Sequence, residues 1–153
     1  MIILFIICLF LRPVFALFHI DTVIIALIFS ALTEFRANST AVSLTSFIGG
    51  TLITPIAGII GILSTVFYIT TYLAKDFIDK SSPIVQIVLL STLCLLLLTL
   101  ESLLINLTFG VSDSPIKIST AFTAIVSTLI GYFAATVYNR YNVQRAKIPT
   151  IRK

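Results

Sequence analysis

Long apolar stretches separated by short polar clusters extend along the whole 153-residue chain. Divided at those clusters, the pattern predicts helices over about 1–19, 20–33, 40–53, 56–74, 84–109 and 118–138, followed by a basic tail over 139–153. An upright helix needs about 20 apolar residues to cross the hydrocarbon core of a bilayer. The pattern therefore predicts an all-α fold, a polytopic transmembrane bundle of about six helices that forms a single domain.

The segment from Ala41 to Ala74 carries no charge over 34 residues. As one straight helix it would be about 50 Å long, which exceeds the ~30 Å hydrocarbon core. Proline removes a helical hydrogen-bond donor and glycine tolerates turn geometry, so we expect a turn near Thr54. The alternative is one broken helix that lines a cavity, as in transporters. The residues that favour a break are Gly49, Gly50, Pro55, Gly58 and Gly61.

The first apolar stretch is interrupted by Arg12 and Pro13. Val14 and Ala16 would suit cleavage of a secretory signal, but no positive charge precedes the stretch, so a transmembrane helix is the preferred interpretation. The second helix is short for a crossing, and a start upstream near residue 17 would place Asp21 at its headgroup end.

Composition indicates that lipid is the surrounding solvent. The chain is 58% hydrophobic and 10% charged, whereas soluble domains keep about 25% of their residues charged. So few charges cannot cover a water-facing surface, and we predict a multi-pass membrane protein in contact with the bilayer.

Basic residues predict the orientation. With both termini in the cytoplasm, the inner loops and tail hold eight basic residues and the outside holds Arg12 and Lys117, which satisfies the positive-inside rule. The tail has one aromatic residue and no nucleic-acid-binding motif, so nucleic acid is not an expected partner. The residues expected to contact lipid headgroups are Arg140, Arg145 and Lys147.

Candidate catalytic groups are few. The chain has one histidine, His19, and two cysteines, Cys8 and Cys94, both in apolar stretches. It lacks the carboxylate pairs, Ser/His arrangements and HExxH-like ligands that membrane enzymes use. We expect no enzyme activity, no cofactor and no metal.

Small residues recur every four positions in the last predicted helix, and glycines are frequent in the 41–74 segment. Helices in lipid associate through close approach at small residues. We interpret these positions as packing faces within the bundle or, alternatively, as a docking face for a partner helix in a homo- or hetero-oligomer. The candidates are Ser119, Thr123, Ser127, Gly131, Ala135, Gly50, Gly58 and Gly61.

Glu101 lies alone in the apolar helix 84–109. The 17 Leu, Ile, Val and Phe residues there, at about −0.3 to −0.6 kcal/mol each, outweigh one acid at roughly +2.5 to +3.5 kcal/mol, so the helix still inserts. Glu101 is about 12 Å from the outer end of its helix, and Arg12 is at a similar depth in the first helix. We therefore hypothesise that Arg12 and Glu101 pair inside the bundle.

Three alternatives to this pairing remain. Glu101 is protonated and hydrogen-bonded to a serine, or Arg12 extends to the headgroups. In the third, Glu101 serves a proton or cation relay, for which Arg12 and Asp21 are the only further ionisable candidates.

The chain carries, in this order, the stretches DTVIIALIFSAL, SFIGGTLIT, GILST and FIDKSSPIVQ. Their order resembles that of the motifs in the MreD family of bacterial rod-shape proteins. DTVIIALIFSAL is similar to the family's PDL entry into a second helix, with Ile20 in the proline place. SFIGGTLIT resembles GFxxGLLxD, with Ser46 in place of the first glycine and Thr54 in place of the acid. GILST resembles the GxxAL that follows, and FIDKSSPIVQ falls at the family's polar loop.

This resemblance implies a non-enzymatic scaffold subunit of the peptidoglycan-synthesising cell-elongation complex in the bacterial inner membrane. It implies binding to an MreC-like single-pass protein, and action with a SEDS glycosyltransferase, its penicillin-binding partner and MreB. The arrangement also looks like the substrate-binding subunits of energy-coupling-factor vitamin transporters, which supplies the alternative function. The lack of tryptophan and the short outer loops favour the scaffold, and an orphan subunit of another membrane complex is the third candidate.

Overall fold

The computed structural model describes residues 2–33, 55–110 and 118–147 of the chain. These residues form helices and their connecting turns, with no strand among them, so the all-α prediction is confirmed for this part of the chain. The helices are α1 (Ile2–Ala16), α2 (Thr22–Leu32), α3 (Pro55–Leu73), α4 (Lys75–Lys80), α5 (Pro83–Phe109) and α6 (Ile118–Lys147).

The chain reverses direction between α1 and α2 in a Schellman turn. The N–H of Ile20 donates to the carbonyl of Phe15 (3.2 Å) and the N–H of His19 to the carbonyl of Ala16 (3.1 Å), which are the two hydrogen bonds of this motif. His19 takes the left-handed conformation, with φ 55°, a position that glycine usually occupies. The His19 ring packs edge-on against Phe122, with 5.9 Å between centroids, a contact that glycine could not make.

The short helix α2 is largely buried and packs against α1, α3 and α6. Its 11 residues span about 16 Å, roughly half of a hydrocarbon core. Asp21 before it and Thr33 after it are both buried. The expectation that this helix starts near residue 17 is wrong, because the Schellman turn occupies those residues and the helix begins at Thr22.

Helix α6 lies close against α2 because its facing side chains are small. Ser127 and Ala135 are buried on this face. A Cβ atom added at Gly131 would lie 2.9 Å from Cβ of Ile28 and 3.1 Å from the carbonyl oxygen of Ile25. The two helices are therefore held at a distance that only glycine permits at this position.

The C-terminal end of α2 also finds a hydrogen-bond partner on α6. The side-chain amide of Asn139 donates to the carbonyl of Leu32 at 2.9 Å, which supplies a partner for one of the last carbonyls of α2. At the near end, the N–H of Asp21 donates to Oγ of Ser127. The start of α2 thus contacts an earlier part of α6 than the end of α2 does, so the two helices run parallel.

Local capping residues set the limits of α5. Ser82 is the N-cap and accepts the N–H of Val85, Pro83 occupies the first turn, and Gly110 ends the helix with φ 67°. The Gln86 side chain donates to the carbonyl of Ile78 at 2.7 Å, which ties α4 to the start of α5.

Three boundaries differ from those predicted. The first helix ends at Ala16 rather than 19, where the Schellman turn begins. KDFIDK, expected to be a loop, forms α4, which buries Ile78. The last helix continues from 138 to Lys147, so residues 139–147 are helical rather than a tail. No glycine or proline interrupts residues 132–148, so the helix can continue. The predicted end at 138 comes from the length of the apolar stretch, which marks the edge of a membrane rather than the end of a helix.

The predicted helix 40–53 lies outside the described residues, and so does the predicted turn at Thr54. Pro55, expected at the break, is the first residue of α3. Proline is favoured in a first helical turn because its missing donor has no intrahelical partner there.

Two of the described helices are long and apolar enough to cross a membrane, α5 and the Ile118–Val143 part of α6. Only 17% and 28% of their apolar windows are buried, whereas the core helix of a soluble protein would be mostly buried. Their exposed side chains include Leu96, Leu100, Leu103, Leu107, Phe122, Ile125, Leu129 and Phe133. These two possible spans support a membrane protein.

We predict that Gly131→Ala destabilises the fold by about 1–3 kcal/mol, although alanine is the better helix former. The added methyl would meet Cβ of Ile28 and a backbone oxygen, neither of which can rotate away. Unfolding of the purified protein in detergent measures the change. Val137→Ile adds a methylene group to the exposed face of the same helix and serves as the control. Equal stability of both variants would contradict close α2–α6 packing.

Candidate functional site

Arg12 lies between two carboxylates that belong to different helices. Its Nη1 and Nη2 atoms donate to Oε1 and Oε2 of Glu101, each at 2.6 Å. Its Nε and Nη2 atoms lie 2.9 and 2.8 Å from Oδ2 of Asp21. We call these three side chains the ion triad. It joins α1, the start of α2 and α5 at one point.

Asp21 is also the N-cap of α2. Its Oδ1 accepts the N–H groups of Val23 (2.9 Å) and Ile24 (3.3 Å). The Asp21 N–H donates to Oγ of Ser127 at 2.8 Å, which adds α6 to the same junction. A carboxylate at a helix N-terminus satisfies free N–H groups and is favoured by the helix dipole. Asp21 therefore stabilises α2 and the ion triad together.

The ion triad is largely removed from solvent. The exposed fractions are 20% for the Arg12 side chain, 6% for Asp21 and 10% for Glu101. A buried charge is costly unless it is paired and hydrogen-bonded, and the planar guanidinium fork matches a carboxylate at two points. With both acids ionised, the ion triad carries a net charge of −1.

Local sequence brings Arg12 and Asp21 together. They are nine residues apart, on either side of the Schellman turn. The hydroxyl of Thr22 donates to the carbonyl of Cys8, which holds the first turn of α2 against α1. The α1–α2 hairpin thus forms one half of the ion triad, and Glu101, 89 residues after Arg12, completes it.

A cavity of about 360 Å³ opens beside Arg12 and Glu101 and reaches α5 and α6. Asp21 does not line it. We call it the Glu101 cavity. Among the described residues, the rest of its lining comprises four polar residues and two apolar ones, namely Ser102, Asn106, Thr120, Thr123, Leu98 and Ile105.

A second cavity of about 650 Å³ lies at the opposite end of the bundle, beside Leu32 and Asn139. Gln86, Tyr132 and Arg140 also line it. The Tyr132 hydroxyl donates to Oε1 of Gln86 at 3.1 Å, so part of its polar wall is already engaged within the protein.

The structure brings Arg12 and Glu101 into direct contact, as the pairing hypothesis requires. Arg12 does not extend toward headgroups, because its guanidinium is bound by two acids. Both oxygens of Glu101 accept from Arg12 rather than from a serine. Sequence analysis missed Asp21 as the third member. The signal that could have found it is an N-cap residue directly after a turn, nine residues from a buried arginine.

The stripe of small residues divides into two parts. Ser127, Gly131 and Ala135 are buried on the side of α6 that faces α2, so the protein itself covers them. Ser119 is exposed, and Thr123 lines the Glu101 cavity. The structure therefore gives the buried part a packing role within the chain.

The other predicted residues lie apart from the ion triad. Gly58 and Gly61 are buried in α3, and Gly50 lies outside the described residues. Arg140 is exposed and lines the second cavity. Arg145 and Lys147 belong to the last turns of α6.

Within the described ranges, no group of three or more His, Cys, Asp or Glu residues is placed to hold a metal ion. The ion triad is instead a structural junction, in which the guanidinium of Arg12 holds α1, α5 and the start of α2 together. Comparison of the chain with protein-family models, with curated proteins and with solved structures finds no match.

We predict that Arg12→Leu destabilises the protein by about 3–5 kcal/mol, because two buried carboxylates lose the guanidinium that pairs with both of them. The double variant Arg12→Leu/Glu101→Leu should be more stable than the single one, since the remaining Asp21 keeps its N-cap hydrogen bonds. Detergent-based unfolding measures both changes.

The matched control is Arg140→Leu, which removes an exposed arginine and should change stability by less than about 1 kcal/mol. A double variant that is no more stable than Arg12→Leu would show that stranded charge is not what destabilises the protein.

Proposed function

We propose that this chain is a multi-pass bacterial inner-membrane protein, a non-enzymatic scaffold subunit of the cell-elongation complex in the manner of the MreD family. In this proposal it binds an MreC-like single-pass partner, and both of its termini are cytoplasmic. The motif order around Asp21, SFIGGTLIT and GILST supports the family assignment.

The observation that carries the scaffold role is the closed ion triad. Its three side chains bond to one another and to backbone groups, and they hold α1, α2 and α5 in a fixed arrangement. The stretches of α5 and α6 beyond it expose apolar side chains such as Leu103 and Leu129. A rigid interior with apolar outer faces suits a protein that presents helices to lipid and to partner helices.

The transporter-subunit alternative has one observation in its favour, the second cavity, whose volume is typical of ligand pockets. However, this cavity lies beside Arg140, at the basic end of α6 that the proposed orientation places in the cytoplasm. A subunit that captures a vitamin from outside would present its main pocket at the other end, where the Glu101 cavity is only about half as large. We therefore prefer the scaffold.

The orientation predicts a labelling pattern. In a background with Cys8→Ala and Cys94→Ala, a membrane-impermeant thiol reagent applied from the periplasmic side should label Leu17→Cys and not Tyr141→Cys. Both positions are exposed, so the difference in labelling reports the side of the membrane. The opposite pattern would contradict cytoplasmic termini.

The scaffold function predicts a stable complex. Affinity purification in mild detergent, followed by mass spectrometry, should recover an MreC-like single-pass protein with the wild-type chain. Gly131→Ala, which loosens the bundle, should reduce recovery, and Val137→Ile should leave it unchanged. Recovery of an ATPase pair with a coupling subunit would favour the transporter alternative. A stable chain that purifies alone with a bound small molecule would contradict the scaffold.

A further inference from the structure

We propose that Glu101 is the binding site for one Na⁺ ion, which enters from the Glu101 cavity. This inference does not depend on the cell-elongation assignment, because it follows from the charge balance of the ion triad and from the residues that line the Glu101 cavity.

The ion triad holds two carboxylates and one guanidinium, so it has one negative charge in excess. Of the described residues that line the Glu101 cavity, only Arg12 and Glu101 are charged. The nearest other titratable group on the α1–α2 turn, His19, packs its ring against Phe122. Excess charge in a membrane interior is costly, so one further positive charge would be stabilised there.

The two carboxylates differ in how much hydrogen-bonding capacity remains. A carboxylate offers about four lone-pair sites. Asp21 accepts from the backbone N–H groups of Val23 and Ile24 and contacts two nitrogens of Arg12. Among the described residues, Glu101 accepts hydrogen bonds from Arg12 alone, one to each oxygen. The excess charge is therefore available at Glu101.

Access from the cavity also assigns the excess charge to Glu101. Glu101 lines the cavity and Asp21 does not, so an ion in the cavity reaches only one of the two acids. The Oδ1 atom of Asp21 is occupied by the N–H groups at the start of α2, so the compensating charge is expected at Glu101.

The cavity walls supply the remaining ligands. Hard cations prefer oxygen donors such as carboxylates, carbonyls and hydroxyls. Thr123 donates its hydroxyl hydrogen to the carbonyl of Ser119 at 2.8 Å, so its oxygen keeps lone pairs for a cation. Ser102, Asn106 and Thr120 add further side-chain oxygens. Arg12 beside the site repels positive charge, which favours a singly charged ion over a divalent one.

The test measures the thermal unfolding midpoint of the purified full-length protein in detergent. NaCl is compared with N-methyl-D-glucamine chloride at equal ionic strength and constant pH. With Na⁺ bound at Glu101, the midpoint should rise by roughly 5 °C or more at a hundredfold excess over the dissociation constant.

Four variants test which residues the change in the unfolding midpoint depends on. Glu101→Gln and Asp21→Asn each remove the excess charge while keeping an acceptor for Arg12 or for the N-cap, and both should abolish the response. Asn106→Leu removes a cavity oxygen without touching the ion triad and should weaken a Na⁺ response about tenfold. Thr92→Val is the control, since the Thr92 hydroxyl is exposed and donates to its own helix, and its response should match the wild type.

A Na⁺ response that Glu101→Gln and Asp21→Asn remove and that Thr92→Val keeps supports the sodium site. If Glu101→Gln fails to fold, Asp21→Asn and Asn106→Leu still test the assignment. A wild-type protein indifferent to Na⁺, or a response that persists in Glu101→Gln or Asp21→Asn, would overturn the proposal.

Discussion

The structure depends on the pairing of one guanidinium with two largely buried carboxylates. Arg12 can satisfy Asp21 and Glu101 together only if α1, the first turn of α2 and the C-terminal half of α5 converge on it. Arginine suits this position because its rigid planar fork can engage two partners at once, which the point charge of lysine cannot do. The ion triad therefore acts as a geometric constraint on three helices as well as an energetic one.

This constraint explains the unusual place of α2. A helix of 11 residues buries almost every side chain and has both ends inside the protein. Its first N–H groups are taken by Asp21 and one of its last carbonyls by Asn139. Gly131 lets α6 lie against it closely enough for those contacts to form. A span through the full membrane would need none of these devices, because its ends would be solvated.

Much of the helical organisation could be predicted from apolar length, and the approach of Arg12 to Glu101 could be predicted from equal depth. Both inferences use only distance along a helix, which sequence provides directly. Asp21 could not be placed in the same way, because its position depends on a left-handed histidine that closes a turn where glycine would be expected. The limits of α6 were missed for a related reason, since hydropathy reports the solvent around a helix and not its hydrogen bonding.

The order in which the chain is synthesised is also the order in which the charges of the ion triad emerge. Arg12 and Asp21 emerge together, nine residues apart, as a hairpin that carries no net charge. Glu101 follows 89 residues after Arg12, and Ser127 follows 106 residues after Asp21. In a membrane, a nascent chain would therefore present a neutral pair to the insertion machinery first. The surplus negative charge would arrive with α5, only when a guanidinium is already in place to receive it.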